Sequence, residues 1–251
     1  MRTEPVAAKV IPLKPRRPAL RGDDARSSPL LSLLRDRVQV TERLVHAGDV
    51  VYRAGSPFTT LFVVTRGALK TTRDCFDGRS RVAALHLAPD WLGFDGIANG
   101  TCEWGATALS EASLACIDYG ELLNALRAWP SLLQALHAEM GRDMARHRQV
   151  TTTWRRLPVH ERVGRFLLDW IERSNPGEVG PRVAVTLPLA RADIGELLGM
   201  TVESVSRALS HLKHEGLIGF SDAARRCIQV LDLPALRAFV QAQAVAVHRT
   251  R

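Results

Sequence analysis

One segment near the C-terminus, residues 190–214, restricts the fold of this chain more than any other. Its sequence, ARADIGELLGMTVESVSRALSHLKH, predicts a short helix from about Arg191 to Leu198 that ends at Gly199, and a second helix that begins after Thr201. Gly195 allows the two helices to approach each other closely. The apolar residues expected to bury one face of each helix are Ile194, Leu197, Leu198, Val202, Val205, Leu209 and Leu212. The segment therefore predicts a helix-turn-helix with one face left to solvent.

The solvent face of the second predicted helix carries side chains that suit recognition of DNA bases. Glu203 and Arg207 are i, i+4 neighbours, and Ser206 lies between them in the first turns of the helix. Arg can bond guanine with two hydrogen bonds, Glu can accept from cytosine N4, and Ser can serve either role. On an arbitrary helix these residues would form an ordinary surface pair. At the start of the second helix of this motif, we favour base reading.

Residues around this face are predicted to contact DNA phosphates, which fix the register of a protein on DNA but carry no sequence code. They are Arg191, Thr201, His211, Lys213, His214, Arg225 and Arg226. The last two lie between two short strands, Leu217–Phe220 and Cys227–Val230, which are typical of the wing of a winged helix. The chain carries a net charge of +8, of which +6 falls in residues 141–251. That excess suits a polyanion such as DNA, although it would also favour solubility.

The preceding part of the chain predicts a β domain and a long helix. Residues 41–117 contain short runs of Val, Leu, Phe and Thr separated by glycines, a pattern typical of a sandwich, roll or barrel. Residues 1–28 are basic, rich in proline and without periodicity. We therefore predict a disordered basic arm over residues 1–28, a β sensor domain over 29–128, a dimerisation helix over 129–157 and a DNA-binding domain over 158–251.

The dimerisation helix is predicted from residues that recur at intervals of three and four from Ser131 to about Arg156. They are Leu133, His137, Met140, Met144, His147, Thr151 and Trp154. This spacing is that of a coiled-coil seam, although two histidines and a threonine weaken it. A helix packed on its own β domain is the alternative that the pattern leaves open.

Three segments resemble the CRP/FNR superfamily of transcription regulators: HAGDVVYRAGSPFTTLFVVTRGALK (46–70), HLAPDWLGFDGIANG (86–100) and DIGELLGMTVESVSRAL (193–209). The similarity runs from about residue 30 to 240. It implies an α+β fold with an N-terminal double-stranded β-helix, which is the β-roll of cyclic-nucleotide-binding domains, then a long dimerisation helix and a C-terminal winged helix-turn-helix. It also implies a homodimer that binds double-stranded promoter DNA and contacts RNA polymerase.

Within that superfamily, the pattern E-x-x-S-R formed by Glu203, Ser206 and Arg207 resembles the FNR and FixK branch. The resemblance implies a TTGAT-N4-ATCAA operator and a role in oxygen, redox or nitrogen-oxide metabolism. Two recognition helices related by a dimer axis would meet half-sites about one helical turn apart, which agrees with such a palindrome.

The sensor departs from the cofactor-binding patterns of known relatives. Residues 92–108, LGFDGIANGTCEWGATA, contain no arginine for a cyclic phosphate, which argues against cyclic AMP. Residues 1–74 contain no cysteine, so an FNR-type iron–sulfur cluster is not expected, and Cys116 is expected to lie in the core. Haem stays open, with His86 in a strand pattern shared with relatives that bind no haem. We predict no cofactor and no metal.

The four cysteines lack metal-ligand spacing, and we expect reduced thiols. Cys227, beside two arginines, is a candidate redox thiol, with an inert thiol as the alternative. The chain has no apolar run of membrane-spanning length and no signal-peptide pattern, so we expect a cytoplasmic protein.

Two other classes of function stay open. One is a ligand-binding β-roll that regulates a protein partner. The other is a cupin-like metal enzyme, whose site would need clustered ligands. His46, His86 and Glu103 are too far apart in the sequence to form that cluster, and no nucleophile–base pattern or phosphate-binding glycine loop is present. We therefore expect that the chain is not an enzyme.

Overall fold

The computed structural model describes residues 28–74, 80–174, 180–221 and 227–242. The chain forms two compact units, and the division between them falls between Ala145 and Arg146, near the end of a long helix. The predicted basic arm lies outside the described residues, except for Ser28. No helix in the described part of the chain is long and apolar enough to cross a membrane.

The first unit begins with a short helix and continues as a β-roll. Its elements in chain order are α1 (Pro29–Arg35), β1 (Val40–Val45), β2 (Val50–Tyr52), β3 (Thr60–Arg66), β4 (Ala68–Asp74), β5 (Ser80–Leu87), β6 (Trp91–Leu92), β7 (Gly105–Ala108), β8 (Ala112–Asp118), α2 (Tyr119–Ala128) and α3 (Pro130–Arg148). The strands form two four-stranded antiparallel sheets with the orders β1-β8-β3-β6 and β2-β7-β4-β5.

The first sheet has both faces buried, which explains why its central strands are almost continuously apolar. Successive side chains of β3 point to opposite faces. Phe62 lies in the core between the two sheets, whereas Leu61 lies in a second core that includes Leu34 of α1 and Leu122 of α2. The helices thus cover the outer face of one sheet, and the predicted fold class is confirmed.

Both arrangements that the sequence allows for α3 occur in the structure. One face of the helix packs on the β-roll of its own chain, and another face is left exposed. Leu132 and Leu136 are buried in the core formed with the β-roll. On an adjacent face, Leu133 is 42% exposed and Met144 is 54% exposed, while Met140 and His147 are half-buried. The first part of the predicted seam is therefore an apolar surface that this single chain leaves exposed.

The predicted seam does not continue to its last residue. The α-helix ends at Arg148, and a π-helical turn over Gln149–Thr153 and a 3-10 turn over Trp154–Arg156 follow. Helical turns thus continue to Arg156, but the wider π turn changes the direction of the side chains that follow, so that the spacing of the seam does not hold beyond Arg148. Thr151 is exposed within that turn. Trp154 is only 3% exposed within the single chain, so it is not available to a partner.

The second unit contains the remaining elements: α4 (Val159–Ser174), β9 (Val183–Thr186), α5 (Arg191–Leu198), α6 (Val202–His214), β10 (Ile218–Phe220), β11 (Cys227–Val230) and α7 (Leu233–Ala242). The strands form an antiparallel sheet in the order β10-β11-β9. The predicted wing strands are therefore present, and the turn between them lies outside the described residues. Strand β9 was not predicted, although Val183 and Val185 are buried in alternation with exposed neighbours.

Candidate DNA-binding site

The turn between α5 and α6 depends on two glycines. Gly199 caps α5 with φ of 65°, a left-handed conformation that glycine adopts without strain. The N–H of Met200 donates to the carbonyl oxygen of Gly195 at 2.9 Å. A Cβ at Gly195 would lie 2.7 Å from the carbonyl oxygen of Met200. The close crossing of the two helices therefore requires glycine at position 195.

Helix α6 begins where the sequence predicted it. Thr201 is the N-cap, and its hydroxyl accepts a hydrogen bond from the Ser204 N–H at 3.2 Å. Most of the predicted apolar set is buried: Ile194, Leu197, Leu198, Val205, Leu209 and Leu212. Val202 is the exception and a correction to the predicted core. It is the first residue of α6, at the edge of the buried face, and 42% of it is exposed.

Glu203 and Arg207 both lie on the exposed face of α6. The pKa of the Glu203 carboxyl is lowered, first by a hydrogen bond from its own backbone N–H at the start of the helix and next by one from Thr201, with a smaller effect of the Arg207 charge. Glu203 therefore presents an ionised carboxylate, which accepts hydrogen bonds. Arg207, one turn further along, presents only donors.

Ser206 is half-buried and differs from the other two residues in its contact. Nη1 of Arg191, the first residue of α5, donates to the Ser206 Oγ at 2.9 Å. A predicted base-reading residue on the second helix is thus joined to a predicted phosphate-binding residue on the first. This pairing could not be predicted, because the two residues are 15 positions apart and lie on different helices.

The other predicted phosphate contacts are in part exposed and in part outside the described residues. Thr201, Lys213 and His214 are exposed, and the Lys213 ammonium lies 5.9 Å from the centre of the Phe220 ring in β10. Arg225 and Arg226 lie outside the described residues.

His211 instead packs inside its own unit. Its ring centre lies 4.2 Å from that of His160 in α4 and 6.1 Å from that of Phe239 in α7. It is half-buried, which favours a packing role.

Arg162 of α4 is a residue of this region that the sequence analysis missed. Its guanidinium donates to three backbone carbonyl oxygens, those of Leu198 at 3.1 Å, Arg155 at 2.8 Å and Leu157 at 3.0 Å. Burial and then the Arg155 charge lower the pKa of Arg162. The first helix of the motif is therefore fastened to the turns that precede α4. No side-chain pattern signals this contact, because its acceptors are all backbone atoms.

In the segment 92–108 of the β-roll, an acidic side chain occupies two neighbouring backbone N–H groups. The Asp95 carboxylate accepts from two successive backbone N–H groups, those of Glu103 at 2.8 Å and Trp104 at 3.1 Å. Neighbouring backbone N–H groups of this kind are common binding elements for anions. Here they already hold the chain's own carboxylate, which would repel a phosphate. The expectation against cyclic AMP, drawn from the missing arginine, thus gains a second argument.

The thiols in the described residues differ in exposure. Cys102 and Cys116 are buried, and burial raises the pKa of Cys116 to about 11, so that this thiol is poorly reactive. Cys227 is half-buried, with its Sγ 3.2 Å from the Thr186 Oγ1. His86 is buried, and its Nε2 lies 3.2 Å from the Thr71 Oγ1. Within the described ranges, no three His, Cys, Asp or Glu side chains are grouped so that they could hold a metal ion.

Comparison with known proteins connects both units to one family. Residues 42–128 match the cyclic nucleotide-binding domain, and residues 161–239 match the Crp-like helix-turn-helix domain. The nitrogen fixation regulation protein FixK of Rhizobium meliloti is 33% identical over 76% of this chain and 82% of its own length. The transcriptional regulatory protein btr of Bordetella pertussis is 29% identical over 83% and 82%, respectively.

A solved structure agrees with these relatives. FixK2 from Bradyrhizobium japonicum is 28% identical, with a TM-score of 0.67 over 80% of this chain and 96% of that protein. The same order of β-roll, long helix and helix-turn-helix thus occurs in proteins of related sequence. The chain belongs to the CRP/FNR family of transcription regulators.

Proposed function

We propose that this chain is a sequence-specific transcription regulator that binds a TTGAT-N4-ATCAA-like palindrome as a homodimer. The observation that carries this proposal is the exposed pair on α6, an ionised Glu203 and Arg207 one turn apart, on a helix whose opposite face is buried. A carboxylate that accepts and a guanidinium that donates can distinguish base pairs in the major groove. Lys213 at the end of the same helix supplies charge for the phosphates, and His214 beside it is a further hydrogen-bonding group.

The homodimer is supported by the exposed face of α3. Leu133 and Met144 are large apolar side chains exposed on the same face, with half-buried Met140 between them. A homodimer carries two recognition helices, one for each half-site of an inverted repeat. The proposed interface runs from Leu133 to His147 and does not include Trp154.

The signal is proposed from the relatives and from the chemistry of the sensor. Relatives include the fumarate and nitrate reduction regulatory protein of Salmonella typhi and the electron transport regulator A of Shewanella oneidensis. We therefore propose a role in oxygen, redox or nitrogen-oxide metabolism, with contact to RNA polymerase. We do not propose a cyclic nucleotide as the signal, because residues 92–108 contain no arginine for its phosphate and the Asp95 carboxylate occupies two neighbouring backbone N–H groups there. An FNR-type iron–sulfur cluster is not proposed, whereas haem stays open.

Fluorescence anisotropy with labelled duplexes tests the proposal. The wild type is measured on TTGAT-N4-ATCAA, on a duplex with both half-sites scrambled, and on a single half-site. We expect an affinity for the palindrome at least about 1,000-fold above that for the scrambled duplex at physiological salt. Glu203→Gln should reduce this ratio, and Glu196→Gln, an equivalent change at an exposed residue of α5, should leave it unchanged. Equal affinity for all duplexes would favour a regulator that acts through a protein partner.

A further inference from the structure

A hydrogen bond joins the two helices of the DNA-binding motif on its exposed side. The donor is Arg191 Nη1, on the first residue of α5, and the acceptor is the Oγ of Ser206, 2.9 Å away in the second turn of α6. Both residues are half-buried, so the bond lies at the border between the packed interior of the motif and its surface. The bond therefore fixes the direction in which the Arg191 side chain leaves α5.

Arg191 needs such a partner to be held in place. An unrestrained arginine side chain has many rotamers and loses entropy when it is held in one of them. Its position at the N-terminus of α5 is also unfavourable for a positive charge, because the helix dipole is positive there. A hydroxyl acceptor on the neighbouring helix stabilises one orientation. A guanidinium has five N–H donors, and one bond to Ser206 leaves four for another acceptor.

We propose that Ser206 contributes to DNA binding by positioning Arg191, and that the Arg191 guanidinium, not the Ser206 hydroxyl, makes the contact with DNA. The contact goes to a backbone phosphate beside the recognition helix, since Arg191 projects from the first helix of the motif. Ser206 is then a positioning residue, and base discrimination lies with Glu203 and Arg207. This inference rests on the proposed function, because it concerns the same surface on the same operator.

A base-reading serine and a positioning serine have different consequences for binding. Loss of a base contact reduces discrimination at one base pair, whereas loss of a phosphate contact weakens binding to all sequences alike and lowers its salt dependence. If Ser206 acts through Arg191, its removal also has no effect once Arg191 is gone. Residues that act as a unit are coupled in this way in a double-mutant cycle.

The test is a double-mutant cycle of Ser206→Ala, Arg191→Ala and the double variant, each measured on the palindrome and on duplexes with every half-site position substituted in turn. We expect Ser206→Ala to weaken binding by about two- to tenfold per half-site on every duplex, the range of one hydrogen bond. Arg191→Ala should weaken binding at least as much and lower the slope of log affinity against log salt by about 1 per half-site. In the Arg191→Ala background, Ser206→Ala should change nothing further.

Two further variants separate this effect from general damage to the fold. Ser206→Thr keeps the hydroxyl and should restore most of the affinity, while Ser210→Ala, at an exposed serine of the same helix, should have no effect. Circular dichroism spectra should be the same for all variants, and thermal unfolding should show that each is fully folded at the temperature of the binding assay. A loss of discrimination at one base pair in Ser206→Ala, or independent effects of the two substitutions, would overturn the inference. Failure of the wild type to prefer the palindrome would instead contradict the proposed function and, with it, this inference.

Discussion

Replacing Gly195 by alanine tests whether the helix crossing is as close as the structure indicates. The added Cβ would lie 2.7 Å from the carbonyl oxygen of Met200, and the Met200 N–H is itself bonded to the Gly195 carbonyl at 2.9 Å. To reach the roughly 3.3 Å of a C–H···O contact, the turn would have to open by about 0.6 Å. Overpacking of this kind typically costs about 1–3 kcal/mol.

A matched substitution removes the effect of helix propensity from this measurement. Alanine is favoured over glycine in a helix by about 1 kcal/mol, which would partly conceal the cost at Gly195. Gly141 in the middle of α3 has no atom of its own chain within 4 Å of an added Cβ, so that Gly141→Ala changes the helix propensity without adding a clash inside the chain. We expect Gly195→Ala to be less stable than Gly141→Ala by about 1–3 kcal/mol.

Urea denaturation, monitored by tryptophan fluorescence and circular dichroism, gives the free energy of unfolding of each of the two variants. Fluorescence anisotropy gives the affinity of the same samples for the palindromic DNA. Gly195→Ala should also bind the palindrome more weakly, since the opened turn moves the start of α6. Equal stability of the two variants, together with wild-type affinity of Gly195→Ala, would refute the argument that the crossing requires glycine.

Three other predictions follow from buried or exposed side chains. Trp154→Ala should lower the free energy of unfolding by about 3–5 kcal/mol, because Trp154 is buried within its own chain. Met144→Lys should leave the fold intact and weaken the dimer in analytical ultracentrifugation, because Met144 is exposed. A weaker dimer with unchanged stability in Trp154→Ala would instead place Trp154 in the interface. Tyr52→Phe should be neutral or stabilising in thermal unfolding, because the buried hydroxyl has no hydrogen-bond partner within the described residues; a clear loss would reveal one. Burial, and then the neighbouring His211, lower the pKa of His160, so stability should fall as pH drops below about 6.5, and less so in His160→Gln; parallel pH profiles would argue against this.

The parts of the site that the sequence predicted are those determined locally. The glycines of the turn and the Thr201 cap require particular residue types at fixed spacing, so the bounds of α5 and α6 agree with the prediction. In each of these cases a residue's neighbours in the sequence are also its neighbours in space.

The parts that the sequence did not predict depend on contacts between distant residues. His211 has the spacing of a surface residue on α6, and its burial is explained by His160 and Phe239, which lie on two other helices. The π turn is an exception, because a local pattern accompanies it: residues 150–153 are all β-branched. Such residues form helices less readily, and the hydroxyls of Thr151 and Thr152 bond to carbonyls four residues earlier.

Selection of bound sequences from a random pool of duplexes tests the central claim most directly, since it presupposes no operator. The full-length protein is mixed with the pool at physiological salt, and bound DNA is recovered and sequenced over several rounds. The account predicts enrichment of two inverted TTGAT half-sites separated by four base pairs, and loss of the preference at single positions in Glu203→Gln and Arg207→Ala. Recovery of sequences without a common motif, or of a single half-site alone, would contradict the claim that the protein binds as a dimer and recognises bases through α6.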